Sequence, residues 1–427
     1  MVKGPHTMAD NSPARTTAPG TESRQPPHRQ AVARVLEGWG LLFRHKLSAG
    51  ELGALPVVLV LAAVWIVFQC LNENFLSPRN LSNLSVDIVG TGLIAVGIVF
   101  VLLLGELDLS VGSISGLAAA VFAVLNVNNG VPEWLALIVA VLAGTAAGTV
   151  QGYSFARTRV PAFVVTLAGL LTWNGLMLYI LGTSGTVNLN ERGLVARLTS
   201  YYFHDDAAAY AAAAVSVGTV FLVSYLARRR RRSVGMPHRS LRAVALRTGV
   251  VAVIAFATAY LLNRFQGLPL ALLIFLVVVA GLDIVLRHTR YGRQVYALGG
   301  GVEAARRASL RVTRVQTAVL AVSGTMAAIG GLFLASRITS VSQSSGSGVL
   351  LLNAVAAAVI GGTSLFGGRG TTWSAVLGML VIQSIASGMA ITDTPAAVQF
   401  MITGGVLFAA VVIDSLARRS QEAHGRA

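Results

Sequence analysis

The stretch GELDLSVGSISG, residues 105–116, interrupts an otherwise continuous apolar run. VGTGLIAVGIVFVLLL precedes it and LAAAVFAVL follows it. Glu106 and Asp108 stand between glycines, with Ser110 and Ser113 just beyond. Two readings account for such an interruption. In the first, the stretch is a capped hairpin: glycine permits the turn, and Asp108 or Ser110 accepts a hydrogen bond from a free N–H in the first turn of the next helix. In the second, it is a broken-helix element at membrane depth, where a charge is costly and faces a cavity or a partner. The residues of this stretch alone leave both open.

The surrounding composition places the stretch in a membrane protein. Of 427 residues, 54% are hydrophobic and 12% charged, where a soluble domain carries about 25% charged residues. Mean hydropathy is +0.70. Apolar runs near the roughly 20 residues needed to cross a bilayer recur along the chain. The fold class expected is therefore all-α and integral to the membrane, a polytopic bundle of about 12 transmembrane helices. The apolar windows lie near 55–71, 86–104, 111–125, 134–156, 160–181, 207–226, 248–262, 268–286, 316–335, 349–365, 372–390 and 396–416. The third is short, and a partly re-entrant course for it would change the count. Basic residues alternate between the loops, as positive-inside orientation requires. Arg44 and Lys46 precede the first span, Arg157 and Arg159 follow the fourth, and five arginines at 228–232 follow the sixth. The arginine-rich stretch 287–314 follows the eighth, and Arg418 and Arg419 follow the last. Both termini are thus expected in the cytoplasm of a plasma-membrane protein. The run at 228–232 reads as a topology anchor that also attracts anionic lipid.

Residues 1–50 are expected to form a separate cytoplasmic segment, disordered and then amphipathic, rich in Pro, Ser, Thr and charge and without a signal-peptide core. Residues 51–418 would form the membrane domain and 419–427 a cytoplasmic tail. Cys70 is the lone cysteine, so no internal disulfide and no thiol metal site is expected. The net charge of +16 is distributed among inter-span loops, which argues against nucleic-acid binding.

Three further features bear on function. Gly144, Gly148 and Gly152 repeat every four residues and share one helix face, a pattern for close packing within one chain or at a dimer seam. A late segment, AVIGGTSLFGGRGTTWSAVLG at 358–378, holds Gly361, Gly362, Thr363 and Ser364 beside a tight glycine turn. Its GGRGTT lacks the Lys-Ser/Thr ending of a P-loop, so no nucleotide site is expected. Finally, the long basic loop breaks at Gly299, Gly300 and Gly301, after which 302–310 can form a short helix. On it Ala304, Ala305 and Ala308 offer little bulk, while Glu303, Arg306 and Arg307 supply polar contacts, as a helix docking on a cytoplasmic partner would.

These elements, in this order, resemble the membrane permeases of ribose/xylose-type ABC sugar importers. The segments that match are GELDLSVGS, GRQVYALGGGVEAARRAS and GGTSLFGGRGT. The segment RVPAFVVTLAGLLTWNGLMLYILG and the extra length around the sixth and seventh spans are similar to the xylose branch. Gly301 stands where that family usually has Asn, and Ser309 where it has Gly. The resemblance implies a second permease copy, cytoplasmic ABC ATPase subunits docking at 299–307, and an extracytoplasmic sugar-binding protein. It also implies that Glu106, Asp108, Ser110 and Ser113, with Gly361, Gly362, Thr363 and Ser364, shape the path or its inner gate. No catalytic residue, metal or cofactor is expected. The rival readings are a proton- or sodium-coupled sugar transporter and a membrane glycosyltransferase. For the first, Asp87, Glu133 and Asp283 fall near span ends, leaving only Glu106 and Asp108 as coupling groups. For the second, Glu191, His204, Asp205 and Asp206 show no acid/base or metal spacing.

Overall fold

The computed structural model describes residues 55–158, 160–236, 240–346 and 348–423. The expectations for residues 1–50 lie outside the described residues. Helices α1 (Leu55–Leu71), α2 (Pro78–Leu103), α3 (Val111–Ala123), α4 (Glu133–Thr158) and α5 (Ala162–Leu181) come first. A π-helical turn, Val124–Asn128, continues α3. Next are β1 (Thr186–Asn188), α6 (Leu194–Ser200), β2 (Tyr202–Phe203), α7 (Asp206–Ser233), α8 (Leu241–Asn263) and β3 (Leu268–Pro269). Then α9 (Leu270–His288), α10 (Arg290–Gly300), α11 (Val302–Arg307) and α12 (Val312–Ile338) lead to β4 (Ser340–Ser342). The chain closes with α13 (Gly348–Ile360), α14 (Thr372–Ile391) and α15 (Ala396–Ala423).

Each of the twelve expected apolar windows coincides with a helix. Among the described residues, nine helices are long and apolar enough to cross a membrane. Three apolar helices are shorter: Leu55–Leu71, Gly348–Ile360 and the Ala396–Ala409 part of α15. Several helices exceed their apolar windows. α2 begins at Pro78, where proline suits the first turn and Ser77 Oγ accepts from Asn80 N at 3.3 Å. α7 runs through the arginine run to Ser233, and α15 continues to Ala423, into the expected tail.

α2 is the core of the bundle, with nearly every residue from Val86 to Leu103 buried. It lies antiparallel to α12: Gly90 packs on Gly330 and Leu334, and Gly97 on Ser323 and Met326. The stripe Gly144, Gly148 and Gly152 packs within the chain against α12. A Cβ at Gly148 would fall on the Leu320 carbonyl oxygen, and Gly324 closes on Gly144 from the other side. Lipid gives helices no hydrophobic reason to associate, so close backbone approach supplies the dispersion contacts. Thr145 and Thr325 hydroxyls add a bond of 2.8 Å across this seam. The dimer-seam alternative for this stripe is thereby replaced by packing inside one chain.

Two parts of the chain repeat one design in opposite directions. α2 has 26 residues, then an irregular link at 104–110, then the 13-residue α3. α12 has 27 residues, then a link at 339–347, then the 13-residue α13. α3 begins buried, at Val111, whereas Gly348 and Val349 at the start of α13 are exposed. Gly346, just before α13, packs on the Gly112 carbonyl oxygen and on Gly116 N, and Ser345 O packs on Gly116. The two links therefore meet near the start of α3. Short antiparallel pairs tie the remaining loops: β1 with β4, and β2 with β3. All four strands lie in loops that the charge alternation assigns to the outside.

Candidate functional site

The polar hairpin is held at depth. Asp108 is 2% exposed. Its Oδ1 accepts from Ser110 N at 3.0 Å and from Ser110 Oγ at 2.6 Å, and its Oδ2 accepts from Ser323 Oγ at 2.8 Å. Ser323 stands 11 residues from the start of α12 and 15 from its end, roughly 16 Å and 22 Å along the axis at 1.5 Å per residue. A surface hairpin could not reach it. The stretch is thus buried inside the bundle rather than laid on its surface, as the broken-helix reading requires. The expected capping bond differs too. Ser110 occupies the N-cap without a side-chain capping bond, and Asp108 binds the N–H of Ser110 itself rather than one in the first turn. Gly105 takes φ +78°, the left-handed geometry that turns the chain out of α2. Ser113 is buried in the first turn of α3 and Glu106 is half-exposed.

A second element at depth carries no charge. In QSSGSG, 343–348, the serine turn is closed by Ser345 Oγ accepting from Ser342 N at 3.0 Å. Ser344 is exposed while its neighbour Gly346 reaches the level of Gly112 and Gly116. Irregular backbone at such depth is tolerated against protein or a water-filled cavity, not against lipid. This loop reads in the sequence as an ordinary outer connection, and only its packing on α3 reveals its depth.

At the C-terminal end of α2, where the hairpin begins, the three glycine-rich segments converge. Gly368 N donates to Leu103 O at 2.9 Å. Gly105 packs on the Phe366 carbonyl, and Gly367 lies against both Gly105 N and the Gly299 carbonyl. A Cβ at Gly299 would fall on Leu103 O. The segment after α2, the end of α10 and the turn between α13 and α14 are thus in backbone contact, with no room for side chains. Tyr296 on α10 adds a tie, its hydroxyl donating to Gly370 O at 2.8 Å. Burial pushes the Tyr296 hydroxyl pKa up, so it stays a donor. In the same turn Gly361 leaves space for Ser374 O, Gly362 takes φ +101°, and Ser364 N donates to Arg369 O at 2.9 Å. Thr363 is buried. Thus Gly361, Gly362, Thr363 and Ser364 shape the turn, while Phe366, Gly367 and Gly368 make its contact with the hairpin.

The short helix expected after Gly301 forms, over Val302–Arg307, but the face it exposes differs from the expected one. α10 runs up to Gly300, Gly301 breaks the chain, and α11 follows. Glu303, Ala304, Arg306, Arg307 and Ala308 are exposed. Ala305 is 2% exposed and packs into the main core, so bulk there would meet the protein's own interior rather than a partner. Ser309 adopts φ +58°, a left-handed conformation that glycine takes without cost. Beside α10 an open groove of about 620 Å³ is lined by Leu286, Arg287, Arg293, Tyr296 and Thr371.

Three acidic residues near span ends are committed elsewhere. Asp87 pairs with Arg337 at 2.8 Å, Asp283 with Arg287 at 2.8 Å, and Glu133 accepts from Leu194 N. Among the described residues no His, Cys, Asp and Glu group could hold a metal ion.

The family model described as the permease component of the branched-chain amino acid transport system matches residues 80–411. The chain is 35% identical to the xylose transport system permease protein XylH of Escherichia coli K12, across 87% of this chain and 94% of that protein. It is 28% identical to the ribose import permease protein RbsC of Bacillus subtilis, across 82% and 88%. It is also 28% identical to the L-arabinose ABC transporter permease protein AraH of Azospirillum brasilense, across 86% and 89%. No solved structure matches the chain.

Proposed function

The chain belongs to the ribose/xylose-type ABC sugar permeases, and on that premise we propose that it carries a monosaccharide, xylose or a related pentose or hexose, into the cell. Two copies form the pathway. An extracytoplasmic binding protein delivers the sugar, and separate cytoplasmic ATPase subunits supply the energy. The observation that carries this reading is the meeting of Gly105, Gly299 and Gly367. It puts the segment carrying the partner-facing helix α11 in backbone contact with the hairpin that bears Asp108. A displacement of α11 by an ATPase therefore has a direct mechanical route to membrane depth.

In this reading the path passes the origins of α3 and α13. Ser110, Ser113 and the 343–348 loop offer it hydroxyl and backbone groups suited to a neutral polyol. Glu303, Ala304, Arg306 and Arg307 face the ATPase. Both termini lie in the cytoplasm, and the arginines at 228–232 lie against anionic headgroups.

The test is labelled-xylose uptake by cells expressing the permease with its cognate ATPase and binding protein. Uptake is expected to stop when ATP is depleted and to persist under a protonophore while ATP is maintained. Uptake that survives ATP depletion but collapses with the ionophore would assign the chain to ion-coupled transport instead.

A further inference from the structure

Gln151 and Trp173 stand beside the hairpin, and their hydrogen-bond accounts do not close. Gln151 is 3% exposed, yet its Nε2 has no partner, and neither has the buried Nε1 of Trp173. At the same time Ser110 Oγ faces two acceptors, Asp108 Oδ1 at 2.6 Å and Gln151 Oε1 at 2.8 Å. A hydroxyl has one proton to give and cannot serve both. Buried unpartnered donors are rare and cost free energy, so two within one cluster call for a physical account.

One rearrangement satisfies every group. The outer atom of the Gln151 amide presses on the bare face of Gly169, and Trp173 Nε1 lies beside the same place: a Cβ at Gly169 would sit on that amide atom and 3.1 Å from the indole nitrogen. Turning the amide by 180° exchanges two nearly isosteric ends. Nε2 then donates to Ser110 Oγ, and Ser110 is free to give its proton to Asp108. The carbonyl oxygen moves to the Gly169 side, where it accepts from Trp173 Nε1. It also faces the glycine Cα–H, a favourable contact for oxygen and a poor one for N–H.

We propose that Trp173, Gln151, Ser110, Asp108 and Ser323 form one directed hydrogen-bond chain that latches the hairpin to α5, α4 and α12. Trp173 and Gln151 are its positioning residues. Of the three helices, α5 is the one least buried by the rest of the chain. Thr166 on α5 also sets its hydroxyl 3.4 Å from Leu107 O of the hairpin. Movement of α5 against α12 would break the chain at Gln151 and release the hairpin. The glycines at 105, 299 and 367 connect that release to the cytoplasmic side. The inference rests on the hairpin being the gate of a sugar path.

The test uses the full-length permease assembled with its cognate ATPase. Trp173→Phe keeps an aromatic ring but removes the indole N–H together with part of the ring system, and Gln151→Leu keeps the bulk and removes the amide. Each is expected to lower xylose uptake by about threefold to tenfold, the loss of roughly one hydrogen bond. The double variant is expected to be little worse than the more severe single, because the residues act as one unit. The structural readout is deuterium exchange at the Trp173 indole N–H, expected to be slow in the parent and at least tenfold faster in Gln151→Leu. Additive losses, wild-type uptake by Trp173→Phe, or an indole exchange rate indifferent to Gln151 would overturn the latch. Asp108→Ala run alongside separates the two ideas. If it transports normally the gate itself is wrong, and if it fails while Trp173→Phe does not, only the latch is wrong.

Discussion

A carboxylate at the depth of Asp108 is tolerable only because three donors surround it, two from Ser110 and one from Ser323. Each such bond to a charged acceptor contributes about 1.5–3 kcal/mol, and the charge without them would carry a penalty of several. Asp108→Ala removes the acceptor of all three and leaves the Ser110 and Ser323 hydroxyls free to take local backbone carbonyls. The main helix packing does not pass through this side chain, so insertion and assembly are expected to continue. Uptake is expected to fall by about tenfold or more. Ser323→Ala leaves Asp108 two of its donors and is expected to lower uptake by only about threefold. Initial rates at matched expression decide the matter, and a wild-type rate for Asp108→Ala would rule out a gating hairpin. Glu106 and Asp108 are legible in the sequence because charges stand out in an apolar run. Ser323 is not, since hydroxyls in apolar helices commonly bond to their own backbone, as Thr325 does to Ala321 O at 2.7 Å. Gln151 did carry a signal, as an amide inside an apolar span.

The helices were readable because apolar length and charge alternation are local properties of the chain, and each expected window holds a helix. What escaped was depth and facing, which depend on what lies beneath. The 343–348 loop has the composition of a surface connection, yet Gly112 and Gly116 leave room for it to descend. The docking helix shows the same limit. Its alanines looked alike in bulk, but Ala305 is buried and Ala304 is exposed. Bulk belongs at Ala304. Ala304→Trp is expected to weaken co-purification of the ATPase about tenfold while leaving the permease folded, because a large side chain there obstructs a close-packed interface. Arg307→Glu alone should weaken it much less, since exposed ion pairs contribute about 0–1 kcal/mol. Undiminished capture of the ATPase by Ala304→Trp would place the docking surface elsewhere.

Seen across the whole molecule, the three segments that resemble sugar permeases are far apart in sequence and adjacent in space. Their glycines are needed because backbone meets backbone there: Gly105 on Phe366, Gly367 on Gly299, and Gly368 bonded to Leu103 O at 2.9 Å. Packed interfaces of this kind transmit displacement because they have no slack to absorb it. The inverted pair of long and short helices places the two polar links where that displacement would arrive, near the start of α3 and α13. Gly299 is the point at which a single added methyl group would force apart the hairpin and the segment proposed to face the ATPase. The measurement that bears most directly on this account is sugar moved per ATP hydrolysed by Gly299→Ala in proteoliposomes, at matched incorporation. The account predicts continued hydrolysis with transport per ATP reduced about tenfold or more, the effect of forcing backbone apart at a close-packed contact. An unchanged ratio of sugar to ATP would contradict it.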